Sequence, residues 1–101
     1  MRLLFRDRSL EKICRNTTKL EKKFGLVMAE KINTRIRQLE CAESIENLLM
    51  WHVGRCHSLA GNRKGQYAMD LVNAYRLVFT LSEDTCSADE VAIILEIVDY
   101  H

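Results

Sequence analysis

Three groups of side chains in this 101-residue sequence can act on a phosphodiester. His57 stands just before a glycine-rich basic stretch, "GNRKG", that holds Arg63 and Lys64. Arg76 lies within "YRLVF", and the last three residues are Asp99, Tyr100 and His101. Cutting RNA without a metal needs a base for the 2′-hydroxyl proton, cations for the extra charge on the pentacoordinate phosphate, and an acid for the leaving 5′-oxygen. Histidine suits both proton roles because its pKa lies near neutral. Arginine suits the charge role through bidentate contact with phosphate oxygens. His57 and His101 are the candidate proton carriers, and Arg63, Lys64 and Arg76 the candidate clamp, with Arg55 a further phosphate contact. Tyr100 can stack on a base or donate to the phosphate. Asp99 can hold an imidazole in one tautomer and raise its pKa. His101 carries its own α-carboxylate, which favours the imidazolium.

Each of these residues also has a plainer reading. A loop histidine such as His57 is by default a solvated side chain, and His52, beside Trp51, reads as structural. Arg76 can pair with Asp70 across a hairpin, as a surface pair that contributes little. Tyr67, Tyr75 and Phe79, at alternate spacing, read as core or cross-strand pairs before they read as a stacking platform. His52, Cys56 and His57 sit close together but match no common zinc pattern. No metal or cofactor is expected. The four cysteines are scattered without a CxxC pair, so no disulfide framework is expected.

The elements that must position these groups follow from periodicity. "RLLFR" is short and apolar, an edge strand or a helix lead-in. From Ser9 to Ala42 the chain reads as helix, with Ser9 an N-cap and Thr18-x-x-Glu21 a capping box for a second helix. Leu20, Phe24, Met28, Ile32, Ile36 and Leu39 form an apolar stripe, and Gly25 sits inside it without ending the helix. A short helix follows Ser44. "HVGRCHSLAGNRKGQ" reads as loop. "YAMDLV" and "YRLVFTL" alternate about "NA" as a hairpin. "VAIILEIV" is apolar on nearly both faces, which predicts a central strand covered on each side. Regular alternation there puts Glu96, Val98 and Tyr100 on the face of Ala92 and Ile94, and Asp99 and His101 on the other. The fold class is therefore α+β, with N-terminal helices packed on one face of a small twisted, mainly antiparallel β-sheet, in a single domain over residues 1–101.

No window of about 18 or more apolar residues exists, so no membrane span is expected, and the N-terminal apolar stretch is too short for a signal peptide. The expected location is the cytoplasm. Net charge is +1, but residues 1–41 carry +6 and residues 82–101 carry −6. A basic helical half and a basic central loop are surfaces suited to a polyanion, and also suited to plain solvation.

"CHSLAGNRKGQYAMDLVNAYRLVF", taken with the final "VDYH", resembles the HigB branch of the RelE/ParE toxin superfamily, the toxins of type II toxin–antitoxin modules once described as plasmid-maintenance killer proteins. The resemblance covers the C-terminal half in motif detail and the whole chain in size and element order. It implies the RelE-like fold and cleavage of mRNA on the translating 70S ribosome, without a metal. It also implies a HigA-type helix-turn-helix antitoxin as partner, with operator DNA met only through the toxin–antitoxin complex. His57 matches the family's histidine before the basic loop, Arg63 a loop arginine, and Arg76 the strand arginine on the scissile phosphate. Asp99, Tyr100 and His101 match the catalytic triplet. Family members often carry Lys before the loop glycine; Ala60 stands there, and Lys64 is the candidate to supply that contact from the other side. Two alternatives remain open: a ParE-like inhibitor of DNA gyrase with no chemistry of its own, and a decayed toxin that only binds its antitoxin.

Overall fold

The computed structural model describes residues 1–83 and 90–100. His101 and Cys86 lie outside them. Strand β1 (Arg2–Phe5) is followed by helices α1 (Arg8–Cys14), α2 (Thr17–Phe24), α3 (Leu26–Cys41) and α4 (Ile45–Met50). Strands β2 (His57–Ser58), β3 (Gln66–Asp70), β4 (Tyr75–Leu81) and β5 (Val91–Asp99) complete the sheet. Single 3-10 turns at Val53–Arg55 and Gly61–Arg63 flank β2. The sheet runs β1-β5-β4-β3-β2, antiparallel throughout except where β1 pairs parallel with β5. The expected α+β architecture is the one observed. Among the described residues no helix is long and apolar enough to cross a membrane.

The helical stripe does what its spacing predicts. Leu20, Met28, Ile32, Ile36 and Leu39 are buried, and with Ile45 and Leu48 they pack on Met69, Leu77, Phe79, Ala92 and Ile94. All four helices therefore cover one face of the sheet and leave the other open. Tyr67 stacks on Phe79 with ring centroids 5.6 Å apart, and Tyr75 meets Phe24 edge-on at 6.2 Å. These aromatics are core and cross-strand pairs on the helix side.

Several boundaries differ from the sequence expectation. Asp7, not Ser9, caps α1, and its carboxylate accepts the Leu10 N–H at 2.8 Å. Asn16, not Thr18, caps α2 by accepting from Lys19 N at 3.1 Å. In both cases the earlier polar residue lies in extended backbone, from which its side chain can turn back to the orphan N–H groups of the first turn. Gly25 does not continue a helix. At φ +86°, ψ 165° it ends α2 and starts α3, a conformation only glycine adopts readily. The short helix expected after Ser44 is α4, and the Ser44 side chain caps it.

β5 departs most. It lies inside the sheet as expected, between β1 and β4. It is not evenly covered, however, since Ala92 and Ile94 are fully buried while Ile93, Leu95 and Val98 are partly exposed. Its alternation is also broken. Phe79 pairs with Ile94 and the next residue, Val78, with Glu96, so Leu95 has no counterpart in the pairing. This β-bulge shifts everything beyond it by one position. Ile97 joins the helix side opposite Leu77. Glu96, Val98 and, by continued alternation, Tyr100 fall on the open face, contrary to the face that regular alternation predicts for them.

Candidate functional site

The open face is built in rows across the strands. His57, Ala68, Val78 and Glu96 form one row, and Asp70, Arg76 and Val98 the next. From strand spacing and rise, the Cα atoms of His57 and Arg76 stand roughly 12 Å apart. Both side chains can therefore reach a group lying between them.

Arg63 comes over this face from its 3-10 turn. Its Nη1 donates to Gln66 Oε1 on β3 at 3.0 Å, and its Nη2 donates to Glu96 Oε1 on β5. One guanidinium that bonds β3 and β5 must lie above β4. This explains why Ala68 and Val78 are fully buried although they belong to no part of the helix-side core. The Tyr100 ring sits against the same guanidinium, with its centroid 5.7 Å from Cζ, within cation–π range. The bond to Glu96 raises the Arg63 pKa still further from its ordinary value. It is a fixed positive charge.

Asp70 gathers the second set. Arg76 Nε lies 2.9 Å from its Oδ1, and Arg55 Nε lies 3.1 Å from its Oδ2. The contact to Oδ1 is charge to charge, because that oxygen is buried and accepts no well-directed hydrogen bond. This is the hairpin pair expected for Arg76, but it is no surface pair: both side chains are only about one-fifth exposed. The Asp70 carbonyl accepts from Arg35 Nε of α3 at 2.7 Å.

His57 is oriented by the backbone. Its Nδ1 lies 2.8 Å from the Arg55 carbonyl oxygen. A carbonyl can only accept, so Nδ1 carries the proton and a neutral His57 offers Nε2 as its basic nitrogen. Neighbouring Cys56 is in the core, and burial pushes its thiol up to about 11. It packs as an apolar side chain.

His57, Arg63, Arg76 and Tyr100 thus share the helix-free face, and Arg55 joins them through Asp70. Lys64 and Ala60 are exposed beside the Arg63 turn. Asp99 pairs with Tyr75 in the alternate phase from Tyr100 and ends β5 exposed. His101 lies outside the described residues. Two carboxylates central to this face, Asp70 and Glu96, are not among the sequence candidates. Glu96 has a signal: it is the only ionisable side chain between Val91 and Val98, and a lone carboxylate in an apolar strand needs a partner.

Solved structures share this fold over its full length. A YoeB/ParE toxin from Agrobacterium tumefaciens superimposes with a TM-score of 0.64 at 17% identity, covering all of both chains. A YoeB–YefM complex from Staphylococcus aureus gives 0.61 at 20%, covering all of this chain and 97% of that one, as does the YoeB dimer of the same organism. No family model and no curated protein matches the sequence. At these identities the likeness is one of fold.

Proposed function

We propose that this chain is the toxin of a type II toxin–antitoxin module, a metal-free endoribonuclease that cuts mRNA on the ribosome and so stops translation. The observation that carries the proposal is the sharing of one helix-free sheet face by an oriented histidine, two arginines and Tyr100. The toxin fold of the solved neighbours supports it.

In this reading His57 Nε2 takes the proton of the 2′-hydroxyl, and the freed oxygen attacks the adjacent phosphorus. Arg76 engages Asp70 with Nε and the Tyr75 carbonyl with Nη1; its remaining N–H groups meet the phosphate oxygens. Arg63 adds a second fixed charge, with Lys64 and Arg55 on neighbouring phosphates. His101 is the proposed acid for the departing 5′-oxygen, and Tyr100 stacks on a base. The products are a 2′,3′-cyclic phosphate and a free 5′-hydroxyl. The partner is a HigA-type antitoxin; the Staphylococcus aureus neighbour is a toxin solved with its YefM partner. The site of action is the 70S ribosome, which requires a cytoplasmic protein.

A ParE-like block of DNA gyrase is the second reading, favoured by the YoeB/ParE name of the Agrobacterium neighbour. Purified protein added to a translation extract, with mRNA ends mapped by primer extension, separates the two. Cuts that vanish when ribosomes are omitted, and in Arg76→Ala, support the nuclease. Intact mRNA together with inhibited gyrase supercoiling would overturn it.

A further inference from the structure

The turn that delivers His57 is strained. His52, Gly54 and Arg55 all have positive φ, at 51°, 56° and 54°. Non-glycine residues in that region carry a conformational cost, and such backbone persists only where its surroundings hold it. Besides its own backbone hydrogen bonds, two side-chain contacts hold this one. The Arg35 side chain packs on Gly54 so closely that a Cβ there would come within 2.6 Å of its Nε. The Arg55 guanidinium reaches Asp70 Oδ2. Both converge on one residue, since Arg35 donates to the carbonyl of Asp70 and Arg55 pairs with its carboxylate. The other carboxylate oxygen faces Arg76.

We infer that Asp70 is a positioning residue for the site: it clamps the strained turn that aims His57 and at the same time sets the side chain of Arg76. The inference rests on the nuclease reading for its catalytic consequence, and on geometry alone for its structural half. The link to His57 runs through Arg55, whose side chain is tied to Asp70 and whose carbonyl holds Nδ1. Releasing the Arg55 side chain frees that carbonyl to rotate, and the Nδ1–H tautomer loses its anchor. The buried Oδ1 fits this role. A polar atom in a half-buried site without a directed hydrogen bond calls for an explanation other than stability. Here it holds Arg76 by charge while leaving the guanidinium free to settle on a phosphate.

The test uses the full chain and two variants. Asp70→Asn keeps the shape and removes the charge. Arg55→Met removes a side chain that is 74% exposed and so leaves folding intact. In translation extracts Asp70→Asn should lower the single-turnover cleavage rate about 100-fold, the loss a misplacement near 1 Å produces, with little change in the protein concentration giving half-maximal rate. At saturating protein Arg55→Met should lose part of that rate and the double variant should be no slower than Asp70→Asn, as residues acting through one contact require; loss of Arg55's own phosphate contact is read separately, in the half-maximal concentration. Nitrogen-15 NMR of the free protein should show His57 mainly as the Nδ1–H tautomer in the wild type and mixed in both variants. Cleavage within about twofold of wild type in Asp70→Asn, additive losses, or an unchanged His57 signature would each overturn the inference. If the wild type cuts no mRNA, the nuclease reading falls, and the His57 signature alone still decides whether Asp70 aims the ring.

Discussion

Replacing Gly54 by alanine measures how firmly the turn before His57 is gripped. At φ +56° an alanine carries a left-handed conformation that costs about 1 kcal/mol. Its Cβ also meets Arg35 at 2.6 Å from Nε and 2.9 Å from Cδ and Cζ, so the guanidinium must leave. With it goes the 2.7 Å bond to the Asp70 carbonyl. A hydrogen bond from a charged donor contributes roughly 1.5–3 kcal/mol, and this half-buried one belongs toward the lower end. The expected total is about 3 kcal/mol. Gly61 is the matched control, because it has φ +64° and no heavy atom lies within 4 Å of where an alanine methyl would sit. Gly61→Ala should cost about 1 kcal/mol, the backbone share alone. Urea denaturation of the two variants should therefore differ by about 2 kcal/mol. In thermal melts Gly54→Ala should lose on the order of 15 °C and Gly61→Ala roughly 5 °C. In an Arg35→Met background the cost of Gly54→Ala should fall to about that of the control. If both alanine variants agree within about 0.5 kcal/mol in the wild-type background, Arg35 does not grip the turn and the reasoning fails.

Three further outcomes are expected. Removing Tyr100 and His101 should leave the circular dichroism spectrum and melting cooperativity unchanged while abolishing mRNA cleavage; retained cleavage would show that these residues are not part of the site. Phe79→Ala empties a fully buried position at the centre of the sheet and should cost about 3–5 kcal/mol in urea, and a loss under about 1 kcal/mol would contradict its place in the core. Burial raises Cys14 and Cys56 from 9.0 to about 11. At pH 8 roughly one thiol in a thousand is then ionised, so iodoacetamide followed by mass spectrometry should label exposed Cys41 and spare these two until the protein unfolds. Because their folded pKa values lie above the unfolded one, the stability they contribute is whole below about pH 9 and is lost as pH climbs toward 11.

What the sequence discloses follows local periodicity. The stripe from Leu20 to Leu39 names the buried helix face, and alternation in "YRLVF" puts Leu77 and Phe79 inward and Arg76 outward. Both patterns depend on neighbours a few residues away. The bulge at Leu95 does not. It exists only because β4 pairs Val78 with Glu96, a relation between positions far apart in the chain. An apolar run conceals it, since any phase looks acceptable when nearly every residue is aliphatic. Gly25 hides its role for a related reason. A glycine in a helical stripe is compatible with a continuous helix, and only the packing of α2 and α3 requires the break. Asp70 is legible as a partner of Arg76, but its hold on Arg55 and Arg35 needs the fold of the intervening turn.

The bulge also decides where the chain can change length. Without Leu95, Ile94 and Glu96 would become neighbours and still face Phe79 and Val78, in the pairs they already form. Losing or gaining one residue between Glu96 and Asp99 would instead send Tyr100 to the helix side, away from Arg63. A family of such proteins drifting by insertion and deletion would therefore keep its distance fixed from Glu96 onward and vary it at Leu95. In an alignment, a one-residue gap opposite Leu95 would leave the open face as it is.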